Sequence, residues 1–381
     1  MRVLHVISDT NVGGAGVLLT SLLKNFDRSR VQSIVALPRG SRLIERLEPI
    51  GVPILPLAHL PDRLSARSVG ELTRLIHTTH TDLVHANAAL SARLAGRLCR
   101  VGVLHTRHCC FPPDGIWRLS PVRRLGGVWN RALSDHVIAT ADAAALDLQT
   151  LGIPMQRITC IINGSEPVRD VSDEETACLR ARLGLSPNDF TVGIVARLVE
   201  CKGHRTFLLA AREVIERMPH IPFRFLIVGD GEEREELEAL ARSLGLSDAV
   251  RFLGFVSDMA PVWHILRVNV NCSHGTETSC LALSEGMSVG LPMVVSSYGG
   301  NPAMLGESGV AGFLCPPHDP YAFANAICAI ASSRELENSL RVAAKARFAA
   351  HYTASAMTEH LTEVYEMLME RSSNRIMKIM K

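Results

Sequence analysis

Two glutamates, Glu277 and Glu285, stand eight positions apart in the segment ETSCLALSE, and a glycine pair follows at Gly299-Gly300. Carboxylates can act as acid and base, bind a metal, or accept hydrogen bonds from sugar and ribose hydroxyls. The sequence predicts a helix from Cys280 to about Val289 that is capped by Ser279 and stopped by a proline. The free N–H groups at such a helix start favour an anion, so the cluster suits a ligand with both hydroxyls and phosphates.

The residues around these carboxylates favour ligand contact over metal binding. No Asp-x-Asp run and no cluster of histidine or cysteine stands nearby in the sequence, so a metal site is the weakest of the three roles. The apolar neighbours Leu283 and Met287 predict a buried helix, in which an idle charge at Glu285 would be costly. We therefore expect a ligand-binding carboxylate, no metal and no separate cofactor.

Two cations precede this cluster in the sequence. Arg197 and Lys202 stand five residues apart, directly after a predicted strand that ends at Val195. An arginine that forks onto oxygens and a lysine that acts as a point charge can neutralise a diphosphate. The same charges would stabilise a departing diphosphate as its negative charge grows. The alternative is a solvated loop, the usual position of isolated lysine and arginine.

The N-terminal part carries two further candidates. Gly13 and Gly14 follow the first predicted strand, where glycines let a ligand approach the backbone before a helix start that favours phosphate. Without a full Gly-x-Gly-x-x-Gly pattern, a tight turn is the alternative interpretation. His108 follows another predicted strand and could touch a reacting group, although histidine is common in structural roles and His85 is a rival candidate.

Short β-branched segments alternate with helix-length segments, and this alternation occurs in two series. The predicted strands are Val3–Ile7, Val31–Leu37, Asp82–Ala86, Val103–Thr106, His136–Ala139 and Ile158–Ile162, then Phe190–Val195, Phe223–Val228, Val250–Leu253, Val268–Asn271, Met293–Ser296 and Phe313–Leu314. The pattern predicts an α/β fold with two doubly wound, Rossmann-like domains facing a cleft, in which ligands bind beyond the carboxyl ends of the strands. The turn signal Asn163-Gly164 places the boundary at about 163–172. After it, Arg334–Arg371 is predicted as two helices and Arg371–Lys381 as a short basic tail.

The bulk composition excludes several classes of protein. The 381 residues carry 40 Lys and Arg against 38 Asp and Glu, and a net charge of +2 gives no support for nucleic-acid binding. The apolar runs are shorter than the ~18 residues that a membrane span needs. The ten cysteines are scattered and form no Cys-x-x-Cys motif, so neither a zinc site nor a disulfide framework is indicated and a reduced, cytoplasmic protein is expected. One segment could lie against an anionic membrane or form a solvated helix face. It contains Trp117, Arg118, Arg123, Arg124, Trp129 and Arg131.

Taken in order, these motifs resemble the retaining glycosyltransferases of family 4 (glycosyl transferases group 1), which have the GT-B fold. The resemblance covers nearly the whole chain, and the ordered set is specific although each motif alone is weak. The motifs are Gly13-Gly14, His108 after a strand, Asn163-Gly164, Arg197 with Lys202-Gly203, Val228-Gly229-Asp230-Gly231, Phe252-Leu253-Gly254-Phe255-Val256, the E-x7-E pair Glu277 and Glu285, and Gly299-Gly300-x-Pro302.

The resemblance implies a nucleotide-sugar donor, UDP- or GDP-linked, held mainly by the second domain, with retention of the anomeric configuration and no metal. Arg197 and Lys202 would hold the diphosphate, Glu285 the ribose, the backbone around Phe255 and Val256 the base, and Glu277 the sugar, with Thr278, Ser279, Gly299, Gly300 and Asn301 beside it. Gly13, Gly14 and the catalytic candidate His108 would approach from the first domain. The implied domains are 1–165, completed by a C-terminal helix at 354–381, and 166–353.

Four residues depart from the family pattern. Ala303 stands where the family often has glutamate, and Thr278 where it often has glycine. Gly16 and Arg267 occupy positions where the family often has an acidic residue. These departures are expected to line the sugar end of the site, and they leave the diphosphate and ribose assignments intact.

The main hypothesis is a hexosyltransferase that moves a sugar to a hydroxyl on a glycan or a lipid-linked acceptor, with peripheral contact at the inner face of a membrane as a further expectation. One alternative is a nucleotide-sugar epimerase of the same fold, which converts its donor with no acceptor present. The other is a non-catalytic protein that binds nucleotide sugars.

Overall fold

The computed structural model describes residues 1–10, 13–60, 65–87, 89–108 and 120–379, with the backbone alone at 120–124 and 373–379. The chain forms two compact units, Met1–Gly164 with Ala354–Lys381, and Ser165–Thr353. Among the described residues, no helix combines the length and the hydropathy that a transmembrane span needs.

The first unit is built on seven parallel strands. These are β1 (Arg2–Ile7), β2 (Gln32–Pro38), β3 (Ile54–Leu57), β4 (Leu83–Asn87), β5 (Gly102–Arg107), β6 (His136–Ala139) and β7 (Ile158–Cys160), with helices α1 (Gly14–Asn25), α2 (Ile44–Leu47), α3 (Ala66–Thr78), α4 (Leu90–Leu98), α5 (Ser120–Leu133) and α6 (Asp142–Thr150). The strand order is β3-β2-β1-β4-β5-β6-β7, so the direction of winding reverses between β1 and β4. Each strand pair is parallel, which fits strands that are buried on both faces.

Strand β3 and helix α3 of this unit were not predicted from the sequence. Strand β3 contains Pro56, and proline normally argues against a strand because it cannot donate to the ladder. The strand is nevertheless formed because β3 lies at the edge of the sheet, where only one side of the backbone is paired. Helix α3 is amphipathic, with Leu72 and Ile76 buried on one face and Ser65 capping its start.

The second unit repeats the same architecture with six strands. These are β8 (Phe190–Val195), β9 (Phe223–Val228), β10 (Val250–Gly254), β11 (Val268–Asn271), β12 (Met293–Ser296) and β13 (Gly312–Cys315), with helices α7 (Asp173–Leu183), α8 (His204–Arg217), α9 (Arg234–Ser243), α10 (Ala260–Ile265), α11 (Leu281–Ser288), α12 (Asn301–Leu305), α13 (Pro320–Ser332) and α14 (Arg334–His351). The order is β10-β9-β8-β11-β12-β13, with the reversal between β8 and β11. The predicted fold class of two doubly wound parallel sheets is therefore confirmed.

The chain then returns to the first unit through α15 (Ala354–Ile379). Its buried face places Leu361, Tyr365 and Leu368 in one core with α1 and β1. The sequence predicts a basic tail from Arg371 to Lys381. This prediction is wrong for the residues up to Ile379, because they continue helix α15. No glycine or proline stands in that segment to end the helix.

The expected position of Arg267 at the sugar end of the site is also wrong. Arg267 precedes β11, so it lies at the amino edge of the sheet, opposite the edge where the strands end. There its guanidinium lies 4.2 Å from the ring centre of Phe190 and pairs with the buried carboxylate of Glu337. Its role is to hold α14 against the sheet.

Candidate active site

The reversal of winding in the second sheet forms the centre of the site. The loops that leave neighbouring strands β8 and β11 turn away from each other at such a reversal, and the crevice between them is where doubly wound sheets bind ligands. The first loop carries Arg197 and Lys202, and the second carries Glu277. The structure brings Lys202 and Glu277 together, with 2.7 Å between Nζ and Oε2.

This ion pair is largely withdrawn from solvent. The Lys202 side chain is 16% exposed and that of Glu277 is 7% exposed. Burial opposes the charged ammonium, but the Glu277 carboxylate outweighs it, so the pKa of Lys202 is raised above its usual value. Ser273 also donates a hydrogen bond from Oγ to the same carboxylate oxygen, at 2.8 Å. The lysine is therefore charged and held in place before any ligand arrives.

Two glycines allow the backbones around the pair to approach. Gly203 has a φ of 72°, and a Cβ there would lie 2.2 Å from the carbonyl oxygen of Cys272. Gly299 has a φ of 58°, and a Cβ there would lie 2.1 Å from the carbonyl oxygen of Glu277. Any side chain at either position would push the loops apart, so these glycines set the width of the crevice.

Arg197 differs from Lys202 in its surroundings. Its side chain is exposed, and no residue in the described part of the chain forms an ion pair or hydrogen bond with it. A guanidinium on the loop after β8 is available to fork onto the oxygens of an anionic ligand.

Glu285 lies on the second turn of α11 and is half-buried. The indole nitrogen of Trp263, a fully buried residue on α10, donates to Glu285 Oε2 at 3.1 Å. Burial raises the pKa of Glu285 and the indole hydrogen bond partly offsets this. A partly desolvated carboxylate with one such donor is suited to accept further hydrogen bonds from ligand hydroxyls.

The predicted cap of this helix is wrong. Helix α11 begins at Leu281, with Cys280 rather than Ser279 in the capping position and no side-chain cap. The backbone N–H of Cys280 points to the sulfur of Met304 at 3.2 Å, and its own sulfur receives the Asn271 amide at 3.2 Å. These contacts keep Cys280 extended, so the helix starts one residue later than predicted.

Phe255 and Val256 follow β10, the edge strand of the sheet. Phe255 is 68% exposed, which is unusual for a large apolar residue and makes its ring a candidate for stacking on a ligand. Strands β10 and β11 are separated by three strand spacings of about 4.8 Å, or about 14 Å in total. The edge is therefore wide enough for an extended ligand between Phe255 and Glu277.

The remaining predicted residues of this unit are buried around Glu277. Thr278 and Ser279 are 4% and 8% exposed, and the Asn301 side chain is fully buried at the start of α12. Gly300 precedes α12, and Ala303 within it offers its carbonyl to Arg347 and Tyr352. Their predicted contacts with substrate remain predictions.

The predicted residues of the first unit lie at the carboxyl edge of its own sheet. Gly13 and Gly14 begin α1 after β1, and no side chain caps that helix start. His108 follows β5, and its Nε2 lies 2.9 Å from Asn87 Oδ1 at the end of β4. Burial lowers the pKa of His108 to about 4, so the imidazole is neutral at physiological pH. With the amide oxygen as acceptor, Nε2 carries the proton.

The rival candidate His85 has a structural environment. It is buried, and its ring nitrogens lie 2.7 Å from Tyr365 Oη and 2.6 Å from Thr106 Oγ1. These contacts join β4 to α15 and β5 inside the core. Cys109, Cys110, Trp117 and Arg118 lie outside the described residues.

Sequence reasoning missed the residues that support the site. Asn87, Trp263 and Ser273 each bond directly to a predicted site residue. The signal that could have found Asn87 is a polar side chain at the end of an apolar strand. In the described part of the chain, no group of three or more histidine, cysteine, aspartate or glutamate side chains could hold a metal ion.

Comparison with known proteins identifies the family. A profile described as Glycosyltransferase Family 4 matches residues 12–169, and one described as Glycosyl transferases group 1 matches residues 189–333. The D-inositol 3-phosphate glycosyltransferase of Corynebacterium urealyticum is 30% identical, over 81% of this chain and 77% of its own. The chain belongs to this glycosyltransferase family.

Solved structures with the same fold support the architecture of this glycosyltransferase. HepE of Anabaena, in complex with UDP-glucose, has a TM-score of 0.84 at 23% identity, over 96% of this chain and all of its own. Sucrose-phosphate synthase of Thermosynechococcus elongatus has a TM-score of 0.77 at 19% identity, over 97% of this chain and all of its own. The GT-B fold predicted from the sequence is confirmed.

Proposed function

We propose that this glycosyltransferase moves a hexose from a UDP-linked donor to a hydroxyl of a glycan or lipid-linked acceptor, with retention and without a metal. The observation that carries the proposal is the Lys202–Glu277 pair at the winding reversal, with the exposed Arg197 on the same loop as Lys202. A UDP-linked donor is supported by relatives of this fold that were solved with UDP or UDP-glucose. GDP-linked sugars are the second choice.

The donor would lie along the carboxyl edge of the second sheet. Phe255 would stack on the base and Glu285 would accept hydrogen bonds from the ribose. Arg197 and Lys202 would hold the diphosphate, and Glu277 would accept a hydrogen bond from a sugar hydroxyl. The separation of about 14 Å between strands β10 and β11 leaves room for a donor in this extended placement.

The chemical step requires stabilisation of a departing diphosphate. As the bond between the anomeric carbon and the diphosphate breaks, negative charge grows on the leaving oxygens, and preorganised cations are most effective there. Arg197 supplies a positive charge, and the Lys202 ammonium, although it pairs with Glu277, has further N–H donors for the diphosphate. Retention requires the acceptor hydroxyl to enter on the face that the diphosphate leaves, so the cations must act on that face.

The decisive experiment is an assay of UDP release with UDP-sugars and a panel of hydroxyl acceptors, with and without EDTA. We expect transfer that persists in EDTA and a product whose anomeric configuration, read from the ¹H coupling constant, equals that of the donor. Lys202→Met should lose transfer, while Lys345→Met, on α14, should not.

Other outcomes would overturn parts of this proposal. Conversion of the donor with no acceptor present would support an epimerase. Donor binding without turnover for any acceptor would support a non-catalytic protein. Loss of transfer in EDTA would contradict the role of the two cations.

We also propose that α5 rests on an anionic membrane, where a lipid-linked acceptor would be found. Its sequence SPVRRLGGVWNRAL holds three arginines and no acid, and Leu125, Val128 and Trp129 are at least half exposed at helical spacing. Binding should be stronger to vesicles of phosphatidylglycerol than of phosphatidylcholine in co-sedimentation. Trp129→Ser should weaken it, whereas Val342→Ser, an exposed apolar residue of the second unit, should not.

A further inference from the structure

A closed ring of buried hydrogen bonds adjoins the Lys202–Glu277 pair. Asn271 Oδ1 accepts from the backbone N–H of Ser273 at 2.9 Å and from Asn301 Nδ2 at 3.3 Å. The same Asn301 amide donates to Ser296 Oγ at 3.1 Å, and Ser296 Oγ donates to the carbonyl oxygen of Ser273 at 2.5 Å. The ring thus joins the ends of β11 and β12 to the start of α12.

The ring is shielded from water and is therefore rigid. Asn271, Ser273, Ser296 and Asn301 are 5%, 1%, 0% and 0% exposed. Breaking either bond to the Ser273 backbone would leave a buried backbone group without its partner in the ring, and water could not replace that partner. Both backbone groups of Ser273, its N–H and its carbonyl, are fixed by the ring.

The side chain of Ser273 points out of the ring to the ion pair. Its hydroxyl donates to Glu277 Oε2, the oxygen that also receives Lys202 Nζ. Two donors on one oxygen fix the rotation of the carboxylate. The direction of the other oxygen, Oε1, is then fixed as well.

We propose that Ser273 is a positioning residue of the transfer reaction: the ring places its hydroxyl, and the hydroxyl holds the Glu277 carboxylate in the orientation that contacts the donor sugar. The proposal rests on the proposed function. A ring that served stability alone would not need a hydroxyl directed at the charged pair. Misplacement of a group near a reacting centre by about 1 Å can lower a rate about a hundredfold.

The test compares ligands with and without a sugar. In Ser273→Ala we expect UDP affinity within twofold of the wild type, since UDP lacks the sugar. With UDP-glucose as the probe, kcat should fall about tenfold to a hundredfold. Ser273→Thr keeps the hydroxyl and should restore most of kcat. The matched control is Ser284→Ala, a fully buried serine whose hydroxyl bonds within α11, and it should retain kcat.

Two results would overturn the positioning role. One is an Ala variant with unchanged kcat, and the other is an equal loss of UDP and UDP-glucose binding, which would indicate general damage to the unit. A Thr variant as slow as the Ala variant would also contradict it, because the hydroxyl would then have no part.

A measurement that needs no donor separates this proposal from the proposed function. Urea unfolding of Ser273→Ala is compared in the wild-type and Glu277→Gln backgrounds. The Ser273 hydroxyl bonds to the Glu277 carboxylate. Ser273→Ala should therefore lower the urea midpoint at most half as much in the Glu277→Gln background as in the wild type. If the effect of Ser273→Ala depends on Glu277 but no UDP-sugar is turned over, the proposed function is overturned and the contact between Ser273 and Glu277 stands. If UDP-sugars are turned over but the effect of Ser273→Ala is the same in both backgrounds, only the positioning role of Ser273 is overturned.

Discussion

The buried pair of Lys202 and Glu277 predicts a strongly non-additive pattern of stability. Their atoms are 2.7 Å apart and their side chains are 16% and 7% exposed. Removing one partner of a buried ion pair leaves an uncompensated charge and typically costs ~3–5 kcal/mol. Replacing both partners removes the two charges together, so it should cost less than the sum of the two single replacements.

The stability lost in each variant depends on the contacts that the remaining partner keeps. Lys202→Met leaves the carboxylate with Ser273 as donor, so we expect a loss near the lower limit, about 3 kcal/mol. Glu277→Gln keeps an acceptor oxygen for both donors, so we expect about 2 kcal/mol. Additivity would give about 5 kcal/mol for the double variant. We expect about 3 kcal/mol instead, a coupling of about 2 kcal/mol, within the range for residues in contact.

The assay can be confined to the second unit. Of the three tryptophans, Trp263 alone belongs to that unit and it is fully buried there. In a Trp117→Phe/Trp129→Phe background, its fluorescence reports unfolding of the second unit in urea. A double variant that loses the sum of the two single losses would refute the pairing. If Lys202→Met leaves the stability of the second unit unchanged, the burial of the Lys202 charge is refuted.

Three further outcomes are expected. Glu285→Gln should weaken UDP binding about tenfold in calorimetry, because a charge-assisted hydrogen bond to the ribose is lost, while the exposed Glu335→Gln should bind normally. Phe255→Ala should cost ~1–3 kcal/mol of UDP affinity with no change in thermal stability, whereas Tyr321→Ala, also exposed, should change neither; unchanged affinity in Phe255→Ala would exclude stacking. His136, whose pKa burial lowers to about 4, takes up a proton on unfolding below pH 6.5, so the free energy of unfolding should fall by about 2 kcal/mol per such histidine between pH 7 and pH 5. In His136→Gln that slope should be smaller by the same amount, and an unchanged slope would contradict the burial.

The sequence was sufficient for the fold, and it indicated candidate site residues, because both depend on local patterns. Alternating β-branched and helical segments determine the fold class, and polar residues after strands mark the carboxyl edge. The pairing of Lys202 with Glu277 could not be predicted in the same way. They are 75 residues apart, and their contact depends on β8 lying next to β11, which no local pattern specifies.

The errors have the same physical origin. The family pattern predicts Arg267 at the site because it precedes the strand that leads to Glu277, but residues before a parallel strand lie at the opposite edge of the sheet. Strand β3 was missed because its tolerance of Pro56 depends on having one unpaired side, a property of its neighbours. The position of Ser273 in a ring closed by Asn301 depends on the loop after β12. Each error concerns a contact between distant parts of the chain.

The return of α15 to the first unit has a consequence for synthesis on the ribosome. The N-terminal core lacks Leu361, Tyr365 and Leu368 until that helix emerges, whereas the second unit is by then fully translated. At ~5–20 residues per second, the first sheet waits roughly 10–40 s with an uncovered apolar face. The second unit can therefore complete its fold first, and the nascent N-terminal segment is the part that needs chaperone protection. A premature stop near residue 354 would damage the beginning of the protein rather than its end.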